Sequence, residues 1–197
     1  MKRFKIGIAA VVIGVLGTIV ASVAAYSPVS SNVKASDVSV TISGGFETDP
    51  RDHGRPVVLI ASMLGVTPDV FREAFSGVTP AKDGGPSREQ AQANKKALLK
   101  VLAPYGITNE KLDEVSNYYR YKGSLGQTWP HTQATAAAVV VDGKITAVTV
   151  TNAGAGYTSI PKVVVRQGNL TYQATATVSY TTDFKTNGSI TAINLNN

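Results

Sequence analysis

Four side chains able to ligate a metal crowd into one short stretch, FETDPRDHGRP: Glu47, Asp49, Asp52 and His53. Three carboxylates and an imidazole so close together form a donor set for a divalent ion, and oxygen-rich sets suit calcium or manganese. With an ion bound, the loop would be the centre of a metal-assisted hydrolase. The spacing matches neither an EF-hand nor HExxH. The plainer reading is therefore a polar loop whose acids pair with Arg51 and Arg55 and cap the helix that follows.

Two further stretches bear on binding. SNYYRYKG places Tyr118, Tyr119, Arg120, Tyr121 and Lys122 together at the end of an expected helix. Tyrosine beside arginine is typical of interface hot spots and suits a peptide or sugar surface, whereas basic residues at a helix C-terminus also simply favour its dipole. Further on, Trp129-Pro130-His131 follows. A Ser-His-Asp site needs a base oriented by an acid and a poised nucleophile, and no G-x-S-x-G elbow is present. Trp129 and His131 are expected to close the junction between two halves of the chain.

The glycines of VTVTNAGAGYTSIPKVVV raise a different chemistry. A phosphate cradle needs backbone N–H groups at the start of a helix. Here Pro161 biases Ile160 to an extended conformation, and KVVV reads as a strand. Gly154 and Gly156 are thus expected to make a bend, with Tyr157 packed across it.

The elements that must position these residues fall into two groups. From Arg55 the apolar period is helical. Pro56 and Gly65 bound a first helix, and Thr67-Pro68-Asp69 caps a second. Ser87 and Gln90, at capping-box spacing, open the longest helix, which Pro104 and Gly106 stop, and Thr108 caps a fourth. Gly65-Val66-Thr67 is echoed by Gly106-Ile107-Thr108, which predicts two helix-turn-helix units covering each other's apolar faces. After Pro130 the period is two. ATAAAVVVDGKITAVTVTN is echoed by ATATVSYTTDFKTNGSITAINLNN, with Asp142-Gly143 and Asn187-Gly188 as hairpin dipeptides.

The chain of 197 residues has no cysteine, which excludes disulfides, thiolate nucleophiles and Cys-ligated metals. Its net charge is +6, but Lys2, Arg3 and Lys5 supply half of that excess, so nucleic acid is not an expected partner. Those residues form the basic n-region of MKRFK, ahead of IGIAAVVIGVLGTIVASVAA, and Val23-Ala24-Ala25 offers a cleavage site before Tyr26. A run of about twenty apolar residues also spans a bilayer, so a retained anchor is the alternative. Either way the expectation is export: periplasmic, extracellular, or membrane-anchored facing outward.

The glycine stretch resembles a β module of phage tail and bacterial surface proteins, of the form N-x-G-x-G-Y-T-S-x-P-x-V-x-V. Asn152, Gly154, Gly156, Tyr157, Thr158, Ser159, Pro161, Val163 and Val165 carry the match. The resemblance implies structural or adhesive parts and no catalytic residue. Together, GGFETDPRDHGRPVVLIASMLGV, SNYYRY, WPHT and GAGYTSIPKV resemble an uncharacterised group of exported bacterial proteins.

The expected fold is α+β. A signal or anchor (1–25) precedes a spacer with a short strand and the acidic loop (26–54). A helical domain of two helix-turn-helix units (55–122), a linker (123–133) and a small antiparallel β domain with a repeated hairpin (134–197) follow. The leading expectation is a non-catalytic envelope or cell-surface interaction or structural protein, binding an envelope or surface protein or a glycan. Its contacts would come from Tyr118, Tyr119, Arg120, Tyr121, Trp129 and Tyr157, with no cofactor. The alternatives are the metal-assisted hydrolase and a phage-derived structural component.

Overall fold

The computed structural model describes residues 37–81 and 85–196. The expected leader or anchor therefore lies outside the described residues, as does the spacer up to residue 36. Among the described residues no helix is long and apolar enough to cross a membrane.

Four helices form where the sequence signals predict them, the last three behind a side-chain cap: α1 (Val57–Met63), α2 (Pro68–Ser76), α3 (Arg88–Leu102) and α4 (Asn109–Tyr118). Thr67 Oγ1 accepts from Val70 N at 3.3 Å, Ser87 Oγ from Gln90 N at 3.2 Å, and Thr108 Oγ1 from Lys111 N at 3.2 Å. Each such cap is worth about 1 kcal/mol. The sequence echo has a structural counterpart. Gly65 and Gly106 both adopt left-handed φ, at +70° and +79°, and each hands the chain to an apolar residue and then a capping threonine. α1 is apolar almost all round. Val57, Leu59, Ala61 and Met63 are all buried, which is how an all-apolar helix must sit.

The six strands are β1 (Val38–Ser43), β2 (Thr135–Val141), β3 (Lys144–Asn152), β4 (Lys162–Gln167), β5 (Leu170–Ser179) and β6 (Ser189–Leu195). Antiparallel pairing gives a four-stranded sheet in the order β1-β4-β5-β6 and a separate β2-β3 hairpin. The hairpin lies against both edge strands, β2 near β1 and β3 near β6. Sheet and hairpin share one apolar core around Val163, Val165, Ala176, Ile190 and Ile193. The α+β class is thus present.

Three finer expectations are corrected. The short strand expected within the spacer forms as β1, but it belongs to the β part as an edge strand: its Val40 and Ile42 pair with Val165 and Val163, so the β part begins well before residue 134. Alternating Val and Ile in a short run were enough to form a strand because β4 offers a matching partner. The expected linker at 123–133 is bridged. Trp129 Nε1 donates to Gly156 O at 2.8 Å, and Tyr118 packs on Phe184 with ring centroids 4.1 Å apart. The described residues fall in one compact unit.

The third correction concerns the two turn dipeptides. Asp142-Gly143, with φ of +49° and +74°, makes the expected tight turn. Asn187-Gly188 instead closes a longer loop, where Asn187 N bonds Asp183 O at 2.8 Å and Gly188 N bonds Ser179 O at 2.9 Å.

Candidate functional site

At the glycine stretch every backbone donor from 154 to 159 has an internal acceptor. Gly154 N bonds Asn152 Oδ1 at 2.9 Å, Ala155 N bonds Thr132 O at 3.0 Å, and Gly156 N bonds Asn187 O at 2.8 Å. Tyr157 N reaches Gly188 O, and both Thr158 N and Ser159 N reach Gly45 O. No helix follows, and no N–H points outward to cradle a phosphate. The glycines are required by close approach: a Cβ on Gly156 would stand 2.7 Å from His131 Cβ and 2.8 Å from Pro130 O. Tyr157 lies across the bend as expected. It is fully buried, stacked on Phe46 at 4.5 Å, and accepts from Ala134 N at 2.9 Å through its hydroxyl. Burial pushes its phenol pKa up. Its expected role as a surface contact is therefore corrected.

The acidic loop disperses its carboxylates. Glu47 turns back to Gly45 N and to Ser159 Oγ, at 2.8 and 2.7 Å, and the Ser159 bond holds its carboxyl below the usual range. Asp49 caps the short 3-10 turn Pro50–Asp52 and grips Arg51, which lowers its pKa to about 2. Asp52 is buried and forms a two-point pair with Arg72, at 2.8 and 2.9 Å, which raises the arginine's pKa. His53 stands in a left-handed conformation and is exposed. Among the described residues no three His, Asp or Glu side chains gather where an ion would sit. The acids do pair with arginines, but the partners are Arg51 and Arg72 rather than Arg51 and Arg55.

The aromatic and basic cluster divides between interior and surface. Tyr119 and Trp129 are each 4% exposed: Trp129 offers no face to a partner, which corrects its expected contact role, whereas Tyr119 is mostly interior and contributes only to the wall of a cleft. The Tyr119 hydroxyl accepts from Asn187 Nδ2 at 2.9 Å, and burial pushes its pKa up to about 12. Tyr118 remains at the surface against Phe184, and Arg120 is exposed. Tyr121 is half-buried, with its ring edge-on to Trp129 at 5.8 Å and its hydroxyl donating to Gly54 O.

Tyr121 and Arg120 line a cleft of about 440 Å³, together with His53 and Arg55 from the start of the helical part. Its apolar wall is Ile60, Phe71, Phe75 and Leu98, and among the described residues no acidic side chain lines it. Arg55 lies with its guanidinium carbon 4.2 Å above the Phe75 ring. Its Nε is shut off from solvent and has no acceptor among the described residues. The cleft therefore joins the two stretches that the sequence singled out separately, SNYYRYKG and the end of FETDPRDHGRP.

Arg55 and Phe75 were not anticipated as site residues. One signal was present: Arg55 stands just before Pro56, the N-cap of α1, where a cation opposes the helix dipole and is disfavoured unless it serves something else. Comparison with family models, with curated proteins and with solved structures finds no match.

Proposed function

We propose that the chain is an exported, non-catalytic interaction protein of the cell envelope or surface, and that it engages its partner at the cleft formed by Arg55, Phe75, Arg120 and Tyr121. The observation that carries this reading is the pairing of two arginines with an apolar wall in a concavity that no acidic side chain lines among the described residues. Arginine and tyrosine at such a site are the residue types of binding hot spots. The basic n-region and apolar run at the start of the chain support export. The likeness of the glycine stretch to surface-protein β modules supports a binding or structural part. No observation favours the hydrolase, because the carboxylates it needs are engaged by Arg51, Arg72 and Ser159.

The test is retention of envelope components by the tagged full-length chain, beside an Arg120→Ala variant and a Lys144→Ala variant on the far hairpin. Saturable retention weakened only by Arg120→Ala is the expected result. Retention that Arg120→Ala leaves untouched removes the cleft from the binding surface.

A further inference from the structure

Resting on that reading, we infer that the cleft takes a carboxylate borne on an apolar group, in the form of a peptide C-terminus whose last residue is apolar. The argument starts from Arg55. A buried donor on a charged group without an acceptor is costly, and such a group calls for an explanation in a native fold. The nearby acids do not supply one: Asp52 is engaged by Arg72, and Asp49 by Arg51. The Phe75 ring stabilises the guanidinium through its face, but offers no lone pair to the N–H groups along its edge.

Face and edge are independent. An arginine stacked on an aromatic ring keeps its planar fork of donors for a two-point bond to a carboxylate. A small rotation of Arg55 toward an anion forfeits no hydrogen bond, since its Nε makes none. Arg120, exposed on the same cleft, supplies a second cation without an ion pair among the described residues.

The remaining lining sets what the carboxylate is attached to. Ile60, Phe75 and Leu98 form an apolar surface that hydroxyl-rich sugars do not match and that an aliphatic or aromatic side chain does. A volume of about 440 Å³ suits one such side chain with its carboxylate, and lies within the usual range of small-ligand sites, ~300–1,000 Å³. It is too small for a folded surface.

Trp129 makes the test direct. It is the one tryptophan in the chain, and its ring lies 5.8 Å from that of Tyr121 on the cleft wall. Titration of the full-length chain in mild detergent would follow its fluorescence, with calorimetry as a second readout. The probes are a hexapeptide ending in phenylalanine as the free acid, the same peptide as its C-terminal amide, and 3-phenylpropionate.

Saturable binding of the acid, with the amide weaker by about tenfold or more, is expected from loss of a charge-assisted bond. Arg55→Gln and Arg120→Gln should each bring a comparable loss. Arg120→Gln is the safer variant because its side chain is exposed, and its melting temperature should match that of the parent. Equal binding by 3-phenylpropionate supports the chemistry and assigns the source as a free acid rather than a chain end. Equal affinity for acid and amide, or no saturable binding of any probe at millimolar concentration, overturns the inference. If an envelope partner is still retained through Arg120 while these probes fail, the binding reading stands and the carboxylate assignment alone falls.

Discussion

Asn187→Ala should be among the most damaging single substitutions outside the apolar core. The residue is 1% exposed, and its amide makes four hydrogen bonds. Nδ2 donates to Leu59 O and approaches the Tyr119 hydroxyl, both at 2.9 Å, while Oδ1 accepts from Ser62 Oγ at 2.9 Å and Thr181 N at 3.1 Å. These bonds tie α1 and the residue after α4 to the loop between β5 and β6. A buried hydrogen bond contributes about 1 kcal/mol net, and an orphaned partner costs more. Leu59 O keeps an alternative donor in Ser62 Oγ at 3.0 Å, and Thr181 is only half-buried, so the sum is moderated. The expected loss is about 3–4 kcal/mol, which for a body of this size lowers the melting temperature by roughly 10 °C. Urea unfolding followed by circular dichroism and by Trp129 fluorescence would measure it. Tyr119→Phe, which removes one of the four bonds, should lose only about 1 kcal/mol. A midpoint for Asn187→Ala within 1 kcal/mol of the parent would refute the idea that this amide joins helices to strands.

Three further outcomes follow from the same geometry. Gly188→Ala should cost about 3 kcal/mol or more by urea unfolding, since its φ is +69° and a Cβ would sit 2.5 Å from Tyr157 O and 2.8 Å from Leu59 Cδ2. Arg72→Gln should destabilise by roughly 3 kcal/mol, and by more than Asp52→Asn. The first leaves a buried carboxylate uncompensated, whereas after the second Arg72 still holds Asp69 at 2.7 Å; equal losses would contradict this. The pH profile should fall at both ends. Asp49, lowered from 3.8 to about 2 by Arg51, contributes stability that is present above pH 4 and lost as pH falls toward 2. Tyr119, raised by burial from 10 to about 12, contributes stability that is intact below pH 10 and lost as pH rises toward 12. Thermal melts of Asp49→Asn and Tyr119→Phe should flatten the acid and alkaline limbs respectively, and a limb unchanged by its variant would refute that assignment.

Local signals carried most of the secondary structure. Thr67, Ser87 and Thr108 cap helices because their hydroxyls meet N–H groups three residues on, a relation wholly contained in the sequence. Asp142-Gly143 turns because both residues tolerate positive φ. Tertiary placement was less legible. VSVTIS is a modest strand signal on its own, and it becomes an edge strand only because β4 presents Val163 and Val165 opposite Ile42 and Val40. Asn187-Gly188 is as good a hairpin dipeptide as Asp142-Gly143 and has a different role, since its Asn is drawn inward by Leu59 O, a partner 128 residues away. A dipeptide carries no record of such a distance.

The site shows the same division between what residue type implies and what placement decides. Tyrosines 118, 119, 121 and 157 are one chemical species, yet the fold assigns them to a surface stack, a buried hydrogen-bond network, a cleft wall and a core. The acidic loop looked like a ligand set because its acids are close in sequence; in space each has its own partner, and closeness along the chain works against convergence when the chain turns between them. The arginines show the opposite. Arg51, Arg55 and Arg72 compete for Asp49 and Asp52, and the geometry gives the acids to Arg51 and Arg72. Arg55 is left against Phe75 with a buried donor that no group among the described residues accepts. The loop that first suggested a cation site thus helps to make a site for an anion, by neutralising two arginines and leaving the third for the cleft it shares with Arg120.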